Sequence, residues 1–432
     1  MHLAQRAYLL VALSAVMAIA AIWSEPGSGG GSWWHVPAGL LLLGLAFERA
    51  YVHAHPPQLS IETEARAYLG RTLPVRWVVA NAAARPLELQ FAPVVPGTFE
   101  PLSATRALTL PARGSAALEV SLLPVRLGPA HWPVVPARVR GPLGLAWWNA
   151  QLLSTASLLV APDARTLATQ PRGLAAGVRN RRVAGAGSEL HQLRAYQRGD
   201  PLTRIDWKAT ARVGSLVTRE YSEDQHLDVL IAIDAGRLSR VRCGTLDRLG
   251  LYSNLATRFA VLATARDDRV GLVVYAERVL SAMAPARGLA AVSRVRGSLE
   301  RLQVQLAESD PTAAAVTVRH LLQHRALVVW LTDLDDPGTA TQLQRAVRLL
   351  APPHLVMVAG VLSGEVAALA TAPAQRWEDP WVALAAREHE LRAATQRRLL
   401  RYTGVPVVAA PAERLESAVF ERYEALRRTR RI

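Results

Sequence analysis

One cysteine and one lysine stand in a chain of 432 residues. The lone Cys243 excludes an intrachain disulfide and a thiolate metal cluster, and it reads as a small buried residue. No Gly-x-Gly-x-x-Gly and no P-loop occurs, so nucleotide binding by those routes has no support. No DNA- or RNA-binding motif accompanies the formal charge of +15 and the isoelectric point near 11.0, and no nucleic-acid partner is expected. The arginines are scattered, apart from Arg179-Asn180-Arg181-Arg182 and the tail Arg427-Arg428-Thr429-Arg430-Arg431. Such a balance suits acidic proteins or anionic surfaces. Ser253 and Ser298 have no elbow motif around them, and no catalytic triad is visible. What is present is enough apolar residue, 50% of the chain, for two or three packed domains.

The N-terminus carries two uncharged runs, 7–23 and 33–47, the second continuing to Tyr51 past Glu48 and Arg49. SEPGSGGGS lies between them, and Trp23, Trp33 and Trp34 cluster at that turn. Arg6 before and Arg49 after the pair predict a transmembrane hairpin over 1–56, with helices near 7–23 and 33–52 and both ends cytoplasmic. That placement is a multi-pass protein of the inner membrane with its domains in the cytoplasm. A signal peptide cleaved near Ala18-Ile19-Ala20 is the rival reading.

Residues 57–160 hold short alternating or β-rich runs such as LPVRWVVANA, LELQFAPV and AALEVSLLPV, punctuated by proline and glycine. They predict an immunoglobulin-like β-sandwich without its cysteine pair. Trp147 and Trp148 follow a Gly-Pro turn and either pack in the sandwich or touch a membrane surface. A linker rich in Gly, Ala and Arg follows over 161–188.

The densest chemistry lies in 189–224, which holds the single lysine, Lys208. Its ammonium is not interchangeable with the planar fork of arginine, which the chain uses everywhere else. Gly199-Asp200-Pro201 predicts a helix start with Asp200 as N-cap, and Gly214 predicts its end. On that helix Leu202, Ile205 and Ala209 form an apolar stripe, and Arg204, Lys208 and Arg212 a cationic ridge. Asp200, Glu220, Glu223 and Asp224 are the acidic groups able to answer it. Three readings stay open: an internal ion-pair network, a docking surface for an acidic partner or a phosphate, and a catalytic cluster in which Asp200, Asp206 and Lys208 serve a hydrolase or transferase.

The run Arg194-x-Tyr196-x-x-Gly199-Asp200, followed by Arg204-Ile205-Asp206-Trp207-Lys208-Ala209-x-Ala211-Arg212 and later Arg219-Glu220, resembles the signature of family 58 of the domains of unknown function. The resemblance covers the signature and the domain after it. It implies a von Willebrand factor type A-like fold and work beside a MoxR-type AAA+ ATPase.

From 225 to 432 continuous apolar runs, LDVLIAID, RVGLVVYA, ALVVWLTDL, HLVMVAGV and PVVAA, alternate with helical stretches. The pattern predicts a mainly parallel, doubly wound sheet, whose ligand sites lie at the carboxyl ends of strands. Asp234, Thr312 and Asp333 fall there, followed by Asp335 and Asp336. They resemble the metal-ion-dependent adhesion site of type A domains, where Asp-x-Ser-x-Ser, a threonine and an aspartate hold Mg²⁺. Here Gly236 and Leu238 replace both serines, and Arg237 adds positive charge, so the site is degenerate; Asp234 is expected to cap a helix or pair with Arg237. His320 and His324 form a helical i, i+4 pair with no third ligand apparent. The reading as a whole is a multidomain, membrane-anchored, non-enzymatic adaptor that works with the ATPase in assembly or maturation of another complex. A Mg²⁺-dependent adhesion-type binder and an enzyme remain alternatives.

Overall fold

The computed structural model describes residues 2–23, 35–102, 105–164, 184–185, 189–222, 226–334 and 337–428. The Gly/Ser turn with Trp33 and Trp34, nearly all of the linker, Glu223, Asp224, Asp335, Asp336 and the last arginines lie outside the described residues, as does the side chain of His191. The chain divides into two compact units. One comprises Met1–Asp163, Ser239–Asn254 and Arg296–Val304; the other comprises Ala164–Leu238, Leu255–Val295 and Gln305–Ile432.

In the first unit, helices Gln5–Trp23 and His35–Ala54 pack against one another. The expected membrane hairpin is corrected here: among the described residues, no helix is long and apolar enough to cross a membrane. The reason is visible in the second helix. Its uncharged run ends at Phe47, far short of the ~20 residues a span needs. Glu48 does not mark a boundary with lipid headgroups. It is fully buried, and its carboxylate accepts the backbone N–H of Leu143, Leu145 and Ala146, each at 3.0 Å, and the indole N–H of Trp148 at 3.4 Å. Arg6 likewise donates to the carbonyl of Leu143 at 3.0 Å. Arg6 and Glu48 thus bind the helices to a loop of the sandwich, and the inner-membrane, multi-pass placement has no spanning helix among the described residues to rest on.

The strands of this unit are β1 (His2–Leu3), β2 (Gln58–Glu62), β3 (Arg66–Tyr68), β4 (Leu73–Ala80), β5 (Leu87–Phe91), β6 (Arg106–Leu110), β7 (Ser115–Leu122), β8 (Gly128–His131), β9 (Val135–Arg140), β10 (Ala146–Leu152) and β11 (Ser157–Ala161). They form sheets ordered β1-β10-β9-β5-β6, β2-β4-β7 and β3-β11-β8 about one apolar core. Alternation decides which side chains enter it: Leu73, Val75, Trp77 and Val79 of β4 are buried while the residues between them face outward. Trp148 packs on this core, with Arg140 lying over the ring of Trp147. The pairing of β11 with β3 is parallel, a departure from an all-antiparallel sandwich. A hairpin of β16 (Arg242–Cys243) and β17 (Leu246–Asp247) also belongs to this unit and sends Leu246 into the same core.

The second unit opens with a small antiparallel sheet of β12 (Ala184–Gly185), β13 (Glu189–Ala195) and β14 (Val217–Ser222), ordered β12-β14-β13. Its main sheet is built from β15 (Asp228–Asp234), β18 (Arg269–Tyr275), β19 (Val279–Ala286), β20 (Ala326–Leu331), β21 (Leu355–Val361) and β22 (Val407–Ala410). The order is β19-β18-β15-β20-β21-β22, parallel throughout except for the edge strand β19. Burial on both faces explains the unbroken apolar runs. At the core Trp330 donates its indole N–H to the hydroxyl of Tyr275 at 2.6 Å. The C-terminal helix Ala412–Arg428 is fastened by Tyr423 and Arg427, which both donate to Asp268, a residue fully buried at the head of β18.

Candidate functional site

The signature residues gather around β13, β14 and the short segment between them. Arg194 on β13 makes a bidentate pair with Asp200, both contacts 2.8 Å, and reaches Glu220 on β14 at 3.5 Å. Asp200 also accepts the N–H of Gln197 at 2.9 Å. It is therefore not the helix cap. Pro201 is extended, a single 3-10 turn spans Leu202–Arg204, and the helix proper is Trp207–Val213. Its N-cap is Asp206, which accepts the N–H of Ala209 at 3.0 Å and pairs with Arg219 at 2.9 Å; Gly214 closes the helix at φ +73°, as expected.

The later start dismantles the expected ridge and stripe. Arg204 precedes the helix and leaves only Lys208 and Arg212 on it. Ile205 is buried and bridges Thr218, whereas Leu202 is exposed.

The electrostatics follow from these partners. The Arg194 guanidinium holds the Asp200 carboxyl below its usual range, and the cap bond from Ala209, then Arg219, do the same for Asp206. Both carboxylates are engaged by arginine and by backbone N–H groups, and their lowered values make them weak proton acceptors. What the frame leaves outward is the helix surface: Trp207, Lys208 and Arg212 are all exposed, Trp207 by 67%.

A second group lies at the carboxyl end of the main sheet, beside the point where the strand order reverses between β15 and β20. Asp234 ends β15 and is buried. Its Oδ1 accepts the N–H of Gly236 at 2.9 Å and the hydroxyl of Ser309, and its Oδ2 accepts the hydroxyl of Thr332 at 2.8 Å. Burial raises the Asp234 carboxyl above its ordinary value, and the neighbouring charge of Asp333 adds to the rise. Gly236 makes room for this: a Cβ there would stand 2.0 Å from Ser309 Oγ. Arg237 pairs with Glu308 at 2.6 Å, so the expected partnership with Asp234 is corrected. Thr312 sits at the start of helix Pro311–Leu321, where its N–H is taken by the N-cap Asp310 at 2.8 Å.

Two hydroxyls of the chain thus hold the Asp234 carboxylate, and burial favours its protonated form. Among the described residues no group of three or more His, Cys, Asp or Glu could hold a metal ion. His320 ends up near the close of its helix at Leu321, and His324 lies beyond it, so they share no helical face. Sequence reading missed Ser309, Thr332 and Asp310. Only Asp310 carried a local signal, as Asp-Pro before a helical stretch.

A parallel sheet with its first strand central, one antiparallel edge strand and acidic residues at the reversal point defines a type A-like α/β domain. Residues 192–395, a little under half of the chain, match the family model described as "Protein of unknown function DUF58". No curated protein matches the chain. Among solved structures it is similar to the conserved hypothetical protein BatB from Bacteroides thetaiotaomicron, with 13% identity, 46% of this chain and 99% of that chain covered, and a TM-score of 0.30. It is similar to proximal thread matrix protein 1 from the mussel byssus, with a zinc-occupied MIDAS motif, at 11% identity, 45% of each chain and a TM-score of 0.28. The CARDB domain of PF1109 from Pyrococcus furiosus matches at 12% identity over 25% of this chain and 96% of that one, with a TM-score of 0.19.

Proposed function

We propose that the chain is a non-enzymatic adaptor whose DUF58 region docks a partner protein through the signature helix Trp207–Val213. One observation carries this reading. Asp200 and Asp206 are tied to Arg194 and Arg219, and the frame so made presents Trp207, Lys208 and Arg212 outward on a capped helix. An exposed tryptophan flanked by cations is the composition of an interface anchor for a partner with an apolar pocket and an acidic rim. The resemblance stated for the signature makes a MoxR-type AAA+ ATPase the partner to test, in assembly or maturation of another complex. The same ion pairs favour this reading over the enzyme one, since they occupy both carboxylates with arginine.

The test is calorimetric titration of the full chain with a purified MoxR-type ATPase of the same organism. Trp207→Ala is expected to weaken binding about tenfold or more. Lys208→Ala weakens it more than Lys208→Arg if a cation is sufficient, and equally if the compact ammonium is required. Equal affinity for wild type and Trp207→Ala, with the fold intact by circular dichroism, refutes the docking face.

A further inference from the structure

The helix Asp379–Tyr402, with the turn before it, bears two stripes at seven-residue spacing. Ala386, Ala393 and Leu400 are buried. Two residues back, and so about 200° around the helix, Leu384 and Leu391 are exposed, Leu391 by 70%. Trp377, Trp381 and Tyr402 continue the outer stripe and are exposed as well. Spaced as a coiled-coil seam, this outer stripe is apolar at those five positions and is interrupted by Glu388, Thr395 and Arg398. Large apolar side chains exposed along one side of a helix mark an interaction site.

The charges on the same segment say what covers it. Its first half, 378–390, carries Glu378, Asp379, Glu388 and Glu390 against Arg387. Its second half, 391–402, carries Arg392, Arg397, Arg398 and Arg401 and no acid. A helix acidic in one half and basic in the other complements a copy of itself running in the opposite direction. We propose that two copies of this chain associate by antiparallel packing of these helices, with the two-fold axis between Glu388 and Leu391.

Coiled-coil layering then sets the partners. Leu384 of one copy meets Thr395 of the other, and Trp381 meets Arg398. Trp377 meets Tyr402. Within one copy Arg398 already lies 5.5 Å from the ring centroid of Tyr402 and donates to its hydroxyl at 3.0 Å, so the incoming tryptophans find a stacked cation and ring. Glu388, which pairs with Arg392 along its own helix, meets Leu391 of the second copy at the axis, with Arg392 of that copy next to it. Leu391 also borders a groove of about 650 Å³ that includes Val366, Ala367, Arg387 and Ala394, which offers apolar surface beside the seam.

Sedimentation equilibrium of the purified full chain tests this. The wild type is expected to be dimeric at micromolar concentration, and Leu384→Glu/Leu391→Glu to be monomeric with an unchanged circular dichroism spectrum, since both residues are exposed in one copy. Orientation is read separately in a Cys243→Ser background. Leu384→Cys together with Thr395→Cys is expected to give a disulfide-linked dimer on mild oxidation, and Leu384→Cys alone is not. A monomeric wild type at about 100 µM overturns the proposal, as does a dimer that survives the double glutamate variant. Ready crosslinking of Leu384→Cys alone, the mark of parallel helices, overturns it too.

Discussion

Three aspartates of this chain titrate in opposite senses because of what surrounds them. Asp200 and Asp206 are held below the ordinary carboxyl value of 3.8 by Arg194 and by the cap bond from Ala209. The stability they contribute is present above that value and is lost as pH falls through their lower, folded-state values. Hydrogen exchange in 194–219 is therefore expected to be flat from pH 5 to 8, after correction for intrinsic rates, and to speed up below about pH 3.8. Asp234 is the reverse case: burial raises its carboxyl, so its contribution is full below 3.8 and is lost as pH rises through the folded value. Asp234→Asn keeps an acceptor for Gly236 and Ser309 and can donate to Thr332. Urea titrations at pH 5 and pH 8 are expected to show the variant gaining on the wild type at the higher pH. Gly236→Ala is expected to destabilise by about 1–3 kcal/mol, because its Cβ would strike the Ser309 hydroxyl. In a Ser309→Gly background the same change is expected to cost less, a coupling that a double-mutant cycle measures.

At the scale of elements, Glu48 shows how a charge is misread. A carboxylate near the end of an apolar helix reads as the edge of a membrane span, yet here it collects three backbone N–H groups and an indole from residues 143–148. Glu48→Ala leaves those buried donors unpaired and is expected to cost roughly 3 kcal/mol or more, seen as a lower thermal midpoint. The main sheet, by contrast, was legible nearly to the residue. Strands covered on both faces must be apolar along their middles, and β15, β18, β20 and β21 are. The start of the signature helix was not. Gly199-Asp200-Pro201 and Ile205-Asp206-Trp207 each hold an aspartate before a helical run, and what decides between them is Arg194, on β13 six residues before Asp200. Spacing along the chain does not reveal such a partner. Ser309 escaped for the same reason, since its hydroxyl reaches Asp234 from a distant loop. The helix Gly364–Thr371, short and alanine-rich, carried no periodicity to find.

The whole molecule comprises a sandwich unit and a type A-like α/β unit, and the signature segment presents a cationic, tryptophan-bearing helix. That helix is proposed to meet the partner. The most direct measurement is hydrogen–deuterium exchange of the full chain with and without a saturating MoxR-type ATPase. The account predicts slowed exchange concentrated in 202–216, with protection lost in Trp207→Ala. Protection confined to other segments, or none at a concentration where the two proteins co-sediment, would contradict it.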